Sequence, residues 1–269
     1  MSVCLKNRCP FRLGTTSYII PEDLAANARW LAPVVDDMEL VLFEADGISN
    51  FPDHQTICSL RDVTNSQGLS YTVHFPSDVF LGAFEPTERL RSIQRCVQVF
   101  EMTRPLAPFA YILHFHGNRR GKTPSVDVPL WLKYLDDSVR RLTDAGLPPE
   151  MICVETLDYP FELVEKIVFH HDLSICLDAG HILFYGYPLE SYLKRYFERC
   201  RVVHLHGVRK GEDHHDIAGI DSGLLPALLQ ALCCEDHRER VLTLEVFSET
   251  DFRRSLTVLE DFFDKRNLF

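Results

Sequence analysis

Short apolar runs alternate with longer amphipathic stretches eight times along the chain. The apolar runs have the length and composition of buried strands, and they lie at Phe11–Ile19, Glu39–Phe43, Ser70–Phe75, Phe109–Phe115, Ile152–Thr156, Leu173–Leu177, Val202–Leu205 and Val241–Val246. Between them, apolar residues recur with the period of a helix at Glu22–Val35, Thr87–Thr103, Leu130–Ala145, Phe161–His170, Leu189–Cys200, Leu224–Cys234 and Asp251–Lys265.

Strands that alternate with helices predict a parallel sheet with right-handed crossovers. Eight such units in 269 residues fit a closed (β/α)₈ TIM barrel, which typically takes about 250 residues. An open dinucleotide-binding sheet is disfavoured, because the segment around Gly14 does not form a GxGxxG motif. We therefore expect one α/β domain over residues 1–269, with residues 1–10 as a flexible N-terminal extension. The polar stretch Gly117–Val126 is interpreted as a loop within that domain.

Composition narrows the classes of partner. No apolar run approaches the roughly 20 residues that span a bilayer, and residues 1–10 lack the apolar stretch of a signal peptide. We therefore expect a cytoplasmic protein without a membrane partner. The net charge of −11 argues against nucleic acid, because proteins that bind it neutralise phosphates with Lys and Arg. The nine cysteines form no CxxC pairs, and those in apolar patterns, such as Cys153 and Cys176, are interpreted as buried free thiols.

Residues that can bind metal recur where the predicted strands end. They are Glu44, His74, His114, His116, Glu155, Asp178, His181, His204, His206, Asp213, His215 and Glu245. The carboxyl ends of the strands meet at one rim of a barrel, where the active sites of this fold lie. A single buried histidine is usually a hydrogen-bonded structural residue, but burying so many ionisable groups together without a cation would be costly. Imidazoles and carboxylates are ligands of divalent metals, so the set predicts a metal site.

Two pairs of histidines leave alternatives open. His114 and His116 are two residues apart, as are His204 and His206, so both members of each pair can face the same way from a strand. One member of each pair could bind metal while the other supports it or contacts the substrate. For the seventh strand we favour His204 as the ligand and assign His206 to the substrate.

Four further polar residues have two interpretations each. Glu44 could orient water or a ligand histidine, or it could be a structural carboxylate, and the sequence favours neither. The loop cations Arg119, Arg120 and Lys122 could bind the substrate phosphate, although a solvated loop is the simpler interpretation.

The ordered set of strand-end residues resembles the endonuclease-IV-like branch, AP endonuclease family 2, of the xylose-isomerase-like barrels. The match covers nearly the whole chain and comprises His74, a histidine of the fourth strand, Glu155, Asp178-Ala179-Gly180-His181, His204, Asp213 with His215, and Glu245. Two motifs depart from that branch. His204-Leu205-His206-Gly207 stands where the endonucleases usually have His-Leu-Asn-Asp, and His114-Phe115-His116-Gly117 stands in place of His-Pro-Gly.

This resemblance implies a hydrolase that cleaves phosphodiesters with two or three divalent ions, usually zinc, with manganese or cobalt as possible substitutes. Glu155 and Glu245 would bridge the ions and serve catalysis, together with Glu44. The remaining residues of the set would be terminal metal ligands: His74, His114 or His116, Asp178, His181, His204, Asp213 and His215.

Three segments carry a narrower likeness. Phe11–Tyr18, Val35–Glu44 and Val154–Glu162 resemble the CbiR family of bacterial cobamide-remodelling phosphodiesterases. That likeness implies a small-molecule corrinoid substrate, a cobamide, whose nucleotide loop is cut to leave a cobinamide. The sequence pI of about 5.5 is compatible with a substrate that carries one phosphodiester rather than a polyanionic backbone.

Two other functions compete with hydrolysis. Sugar isomerases and epimerases of the same superfamily bind one metal with residues equivalent to Glu155, Asp178, His204 and Glu245, all present here. The additional ligand candidates, His74, the fourth-strand histidine and Asp213 with His215, favour the multi-metal hydrolase. A non-catalytic corrinoid-binding protein is the third hypothesis, and turnover assays would separate it from both enzymes.

Overall fold

Eight parallel strands form a closed barrel in the computed structural model, which describes residues 3–45, 48–221, 223–233 and 238–265. The strands are β1 Arg12–Thr16, β2 Asp37–Val41, β3 Ser70–His74, β4 Tyr111–Leu113, β5 Ile152–Glu155, β6 Ser174–Asp178, β7 Cys200–Leu205 and β8 Val241–Leu244. Each strand pairs with its neighbours in sequence, and β1 pairs with β8 to close the barrel. The predicted (β/α)₈ fold is confirmed.

Helices surround the strands. They are α1 Leu24–Leu31, α2 His54–Gln67, α3 Pro86–Thr103, α4 Val128–Asp144, α5 Glu165–His170, α6 Ala179–Phe184, α7 Leu189–Tyr196, α8 Leu224–Leu232 and α9 Glu249–Asp264. The hydrophobic pattern did not identify α2 or the short α6. Helix α2 has 14 residues but buries only Ile57, Leu60 and Val63, so the apolar pattern along it is sparse. The predicted last residue of α8, Cys234, lies outside the described residues.

Short structures interrupt this outer layer. One-turn 3₁₀ helices occur at Arg104–Leu106, Pro149–Met151, Phe161–Leu163, Phe197–Arg199 and Ile217–Gly219. Two antiparallel hairpins leave the barrel at its carboxyl end. The first hairpin pairs Glu44–Ala45 with Ile48–Ser49 and follows β2, and the second hairpin pairs Gly207–Arg209 with Glu212–His215 and follows β7.

The barrel interior changes from apolar to polar along its axis. Small apolar side chains from the β4–β8 side form a cluster separate from the main core, and they are Ala110, Ile112, Cys153, Cys176, Val202 and Val241. The larger cluster packs the strands against the helices. The buried free thiols predicted at Cys153 and Cys176 are confirmed. The small cluster supports the polar residues nearer the strand ends, since Cys176 lies within metal-ligand distance of Glu155 and His204.

Residues 3–10, expected as a flexible extension, pack on the barrel instead. Leu5 is completely buried, and its backbone N–H donates to the carbonyl of Val34. The N–H of Asn7 donates to Asp36, whose other carboxylate oxygen accepts from Leu13 at the start of β1. Residues 1 and 2 lie outside the described residues. Among the described residues, no helix combines the length and apolar character needed to cross a membrane.

Candidate metal centre

The ends of four adjacent strands bring together four of the predicted ligand residues. Glu155 ends β5, Asp178 ends β6, His204 lies in β7, and Glu245 directly follows β8. One ligand atom from each lies within 4.8 Å of the others, and all four side chains are buried. The parallel register produces this convergence, because Asp178 stands opposite His204 and the N–H of Glu245 donates to Leu205. We call these four residues the central group.

A second group shares Glu155 with the central group. His74 ends β3 and His114 follows β4, and both imidazoles point at the carboxylate of Glu155. Nε2 of His114 lies 2.8 Å from Oε2 of Glu155, and Nε2 of His74 lies 3.3 Å from the same oxygen. The opposite nitrogen of His74, Nδ1, is 2.6 Å from the carbonyl oxygen of Phe75, which fixes the orientation of the ring.

A third group lies on the other side and consists of His181, His206 and His214. It adjoins Asp178, whose Oδ2 is 2.7 Å from Nδ1 of His181 and whose Oδ1 is 3.3 Å from Nε2 of His206. Oδ1 of Asp178 also caps α6 by accepting the N–H of His181 at 2.8 Å. Gly180 permits this packing, because a Cβ there would lie 2.3 Å from Nε2 of His206.

Behind the central group, Glu39 supports His204. The two side chains are completely buried, and Oε2 of Glu39 accepts a hydrogen bond from Nε2 of His204 at 2.8 Å. This bond leaves Nδ1 of His204 facing Glu245 at 3.4 Å. Such a carboxylate–histidine pair fixes the tautomer of a ligand imidazole. The sequence analysis missed Glu39, although a charged residue inside an apolar strand was a usable signal.

Glu44 does not join the cluster, contrary to its predicted place on the rim. It lies in the first hairpin, where its carboxylate pairs with the guanidinium of Arg95. Arg95 also contacts Asp78 at 2.9 Å. Strand β2 ends at Val41, and Glu44 is absent from the residues that line the cavity above the cluster. The structural alternative for Glu44 therefore agrees with its contacts.

His214 lies where the sequence analysis expected His215. Nδ1 of His214 is 3.5 Å from Oε2 of Glu245, and the backbone N–H of His214 donates to Nδ1 of His206 at 3.1 Å. The backbone of His214 is left-handed, with φ of 57°, so the alternation of a regular strand is interrupted at this residue. His215 consequently turns toward Arg209, whose guanidinium is 2.9 Å from Nδ1. Asp213 stays at the edge of the site, 3.8 Å from Nε2 of His181.

The structure separates the two histidines of the β4 motif. His114 contacts Glu155 directly, whereas Nε2 of His116 lies 3.0 Å from Nδ1 of His114. His116 therefore supports His114 and also faces the cavity above the cluster. Burial and the neighbouring His114 lower the pKa of His116 to about 3, which keeps this imidazole neutral.

The pKa values of the clustered residues reflect their mutual contacts. Burial would raise the pKa of Glu155, but the nearby His114, His181 and His204 hold it well below its usual range. Burial would lower the pKa of His181, but the carboxylates of Asp178 and Glu155 raise it to about 12. Neighbouring histidines thus hold the pKa values of all three central carboxylates, Glu155, Asp178 and Glu245, below their usual range.

Several buried atoms of the cluster lie close to one another, but within the described residues they form no hydrogen bond of acceptable geometry. They are Oε1 of Glu155, Oδ2 of Asp178, Nδ1 of His181, Nδ1 of His204, Nε2 of His206 and Oε2 of Glu245. Leaving such atoms unsatisfied is costly, and nearly all buried polar atoms in folded proteins are paired. Nitrogen and carboxylate atoms that converge without hydrogen bonds suit a divalent metal, so the residues fit a metal centre.

A cavity of about 590 Å³ opens above the cluster. Arg119 and Arg120 line it, and within the described part of the chain neither guanidinium has a hydrogen bond or an ion pair. Lys122, predicted with them, instead lies 5.9 Å from the ring centroid of Tyr187. His206, assigned to the substrate from the sequence, is buried beneath the cavity in the third group.

Structural comparison finds the same barrel in many solved proteins. A D-tagatose 3-epimerase-like protein is 20% identical, with a TM-score of 0.76, over 95% of this chain and 98% of that chain. Endonuclease IV from Thermus thermophilus is 17% identical, with a TM-score of 0.66, over 94% and 99% of the two chains. The IOLI protein with a bound zinc atom is 14% identical, with a TM-score of 0.70, over 94% and 98%. At these identities the similarity establishes the fold alone.

Sequence comparison assigns the family. Comparison with curated proteins gives no significant match. The profile of the family described as xylose isomerase-like TIM barrel, AP endonuclease family 2, matches residues 35–262, which span β2 to α9 and contain all three groups of ligand candidates. The chain therefore belongs to the xylose isomerase-like TIM barrel family.

Proposed function

We propose that this protein is a metal-dependent phosphodiesterase that binds two or three divalent ions, most simply zinc, with manganese or cobalt as substitutes. The observation that carries the proposal is the presence of three adjoining ligand groups, two of which share Glu155 while the third adjoins Asp178. A single ion needs only the central group. The nitrogen atoms of His74, His114, His181, His206 and His214 are surplus to a one-metal enzyme.

Divalent ions held here would supply a more acidic water as the nucleophile and positive charge opposite the phosphate. The protein's own residues prepare that chemistry. Glu155 has carboxylate oxygens facing both the central and the second group, so it can bridge between them. Glu245 faces His204 and His214, which suits the second bridging role. Glu39 fixes the orientation of the His204 imidazole through a hydrogen bond, and the carboxylate of Asp178 lies 2.7 Å from Nδ1 of His181.

The substrate in this proposal is a cobamide, cleaved in its nucleotide loop to give a cobinamide for remodelling. The cavity of about 590 Å³ reaches the metal-binding residues and opens at the strand ends, so a bulky corrinoid can stay outside while its nucleotide loop enters. The guanidinium groups of Arg119 and Arg120 line the cavity and suit the polar side chains or the phosphate of such a molecule.

A sugar isomerase or epimerase is the second candidate, because the central group alone is sufficient for one metal and for proton transfer between carboxylates. Four of the similar structures carry the word epimerase in their names. The histidines of the second and third groups have no task in that reaction. For that reason we favour hydrolysis.

The decisive experiment incubates purified, metal-loaded protein with adenosylated cobamide and resolves the products by chromatography. We expect a cobinamide product that disappears when a chelator removes the metal. In parallel, the same protein is given ketohexoses. Epimerised sugar with intact cobamide would contradict the proposal and support the second candidate. Tight binding of cobamide without turnover under zinc, manganese or cobalt would instead indicate a corrinoid-binding protein.

A further inference from the structure

Aromatic residues and cations occupy different positions around the mouth of the barrel. Tyr18, Phe43 and Phe247 follow β1, β2 and β8, which are adjacent strands, so these aromatic residues form a continuous arc. We call these three residues the aromatic arc. The cations Arg119 and Arg120 follow β4, on the opposite side of the barrel. The metal-binding residues lie between the two sides.

The aromatic arc presents apolar surface to the cavity. Phe43 and Phe247 both line it, and they are 36% and 43% exposed. Tyr18 lies behind them, with its ring centroid 6.4 Å from that of Phe43 and 6.5 Å from that of Phe247. A single exposed phenylalanine needs no explanation, but two that face the same cavity over a shared aromatic support indicate a binding surface.

Asn50, which directly follows the first hairpin, holds the aromatic arc in place. The side-chain amide of Asn50 donates to the hydroxyl of Tyr18 at 2.7 Å and to the carbonyl of Val41 at 2.8 Å. Its side-chain oxygen accepts the N–H of Phe43 at 2.7 Å. One amide therefore fixes both the backbone of Phe43 and the position of Tyr18. Such preorganisation lowers the entropic cost of binding a ligand against these rings.

The arc is also in direct contact with the metal-binding residues. The ring centroid of Phe247 lies 5.2 Å from that of His214, which belongs to the third group. A ligand with a phosphate on the metals would therefore place the group attached to that phosphate over the arc. Aromatic side chains bind flat π systems by stacking or by edge-to-face contact, and stacked nucleobases are held in this way regardless of their hydrogen-bonding pattern.

We propose that Phe43 and Phe247, supported by Tyr18, form a subsite that binds a flat heteroaromatic ring linked through its sugar to the scissile phosphate. In a cobamide this ring is the lower base. The inference rests on the proposed function for the identity of that ring. The subsite selects for the aromatic character of the ring rather than for particular hydrogen-bonding groups, because phenylalanine offers none.

Two probes test the subsite by equilibrium binding without turnover. α-Ribazole phosphate carries a dimethylbenzimidazole ring, and ribose phosphate lacks the ring. Both are titrated calorimetrically into protein purified with its metal. We expect the ring-bearing probe to bind more tightly than ribose phosphate. Phe43→Leu and Phe247→Leu, which keep apolar bulk without a ring, should weaken its binding about tenfold, as expected for loss of one stacking contact. Their affinity for ribose phosphate should not change.

Phe169→Leu is the matched control. Phe169 is 38% exposed, similar to Phe43, but it lies on α5 beside Arg199 and outside the cavity lining. Phe169→Leu should leave the affinities for α-ribazole phosphate and ribose phosphate unchanged. Thermal unfolding should show that this variant, Phe43→Leu and Phe247→Leu are all folded.

Equal affinity of the unaltered protein for both probes would overturn the subsite. It would also be overturned if Phe43→Leu and Phe247→Leu weakened the binding of ribose phosphate as much as that of α-ribazole phosphate. These results are separable from the fate of the proposed function. Cobamide cleavage that persists without ring preference removes the subsite alone. If the protein prefers the ring-bearing probe but does not cleave cobamide, the proposed phosphodiesterase function is contradicted and the subsite stands.

Discussion

At the scale of single residues, the most consequential finding is the buried pair formed by Glu39 and His204. Glu39 lies behind the candidate ligand atoms and touches neither the cavity nor solvent. Its effect on chemistry must therefore pass through the orientation and basicity of His204. Residues in this position commonly change metal affinity or activity 10- to 100-fold when they are replaced, by general experience with metal centres.

Glu39→Leu should accordingly lower zinc affinity by about 10- to 100-fold, because Nε2 of His204 loses its acceptor. Glu39→Gln keeps an oxygen acceptor and should recover much of that loss. Competition with a fluorescent zinc chelator measures both. Glu44→Gln is the comparison, since the carboxylate of Glu44 pairs with Arg95 outside the cluster. A larger effect for Glu44 than for Glu39 would contradict the structure.

A second buried carboxylate, Asp37, gives a pH-dependent prediction. Asp37 is completely buried, and burial raises its pKa from 3.8 to about 6 despite a hydrogen bond of 2.6 Å from Ser70. Because the folded-state pKa is higher than the unfolded one, the contribution of Asp37 to stability is complete below about pH 4. It is lost as the pH rises through 6. Asp37→Asn should therefore stabilise the protein above pH 6 by about 3 kcal/mol relative to the unaltered chain.

Urea unfolding of both proteins at several pH values between 4 and 8 checks the sign. The difference in unfolding free energy between the two proteins should grow from pH 4 to about pH 6 and level off above it. A difference that is constant with pH would show that Asp37 does not titrate in the folded protein.

At the scale of elements, the second hairpin determines which histidine of its Asp-His-His sequence reaches the site. The likeness to the endonuclease-IV-like branch selected His215, two residues after Asp213. The left-handed backbone of His214 reverses that selection, and alternation alone does not reveal such a conformation. The apolar pattern also misplaced the end of β2. It continued to Phe43, whereas the strand ends at Val41, so Glu44 was expected on the rim. Glu39 was not selected because it lies within the strand rather than at its end.

Adjacent substitutions test the hairpin directly. His214→Ala removes a nitrogen of the third group, so we expect phosphodiesterase activity and bound metal to fall by an order of magnitude or more. His215→Ala removes only contacts with Arg209 and its acidic neighbours and should have a much smaller effect. Elemental analysis and rate measurements on the two variants distinguish them. The reverse order would restore the ligand assignment made from the sequence.

At the scale of the whole molecule, the fold could be predicted because every level of the sequence agrees with it. Eight apolar runs, the helical periods between them and the chain length all require the same barrel. Convergence of the strand-end residues followed from parallel topology alone, which is why His74, Glu155, Asp178, His204, Glu245 and one of the two histidines His114 and His116 were expected on one rim. The contacts of the supporting layer were not predictable, because they depend on the register between strands that are distant in sequence.

The number of ions is the property of the whole chain that best tests the three ligand groups. Protein purified without chelator should carry more than one divalent ion, as measured by elemental analysis. Glu155→Gln should reduce the count most, since this carboxylate belongs to two groups.

One control is needed for that count. A surface group of Asp136, His170 and His171 also has metal-ligand spacing and could add an ion unrelated to the site. His171→Ala removes it, and the count should stay above one. A single ion in that variant would support the one-metal epimerase.

The shared contacts at the rim also have a consequence for folding. His74 and Glu245 belong to opposite ends of the sequence, and ions bound between the three groups would tie strands from β3 to β8 together. Bound metal would then act as a reversible cross-link of the folded barrel. Because the unfolded chain does not bring these ligands together, the binding free energy of the metal would add to the free energy of folding. It would also relieve repulsion among the buried carboxylates. The barrel should consequently respond to metal supply as one cooperative unit.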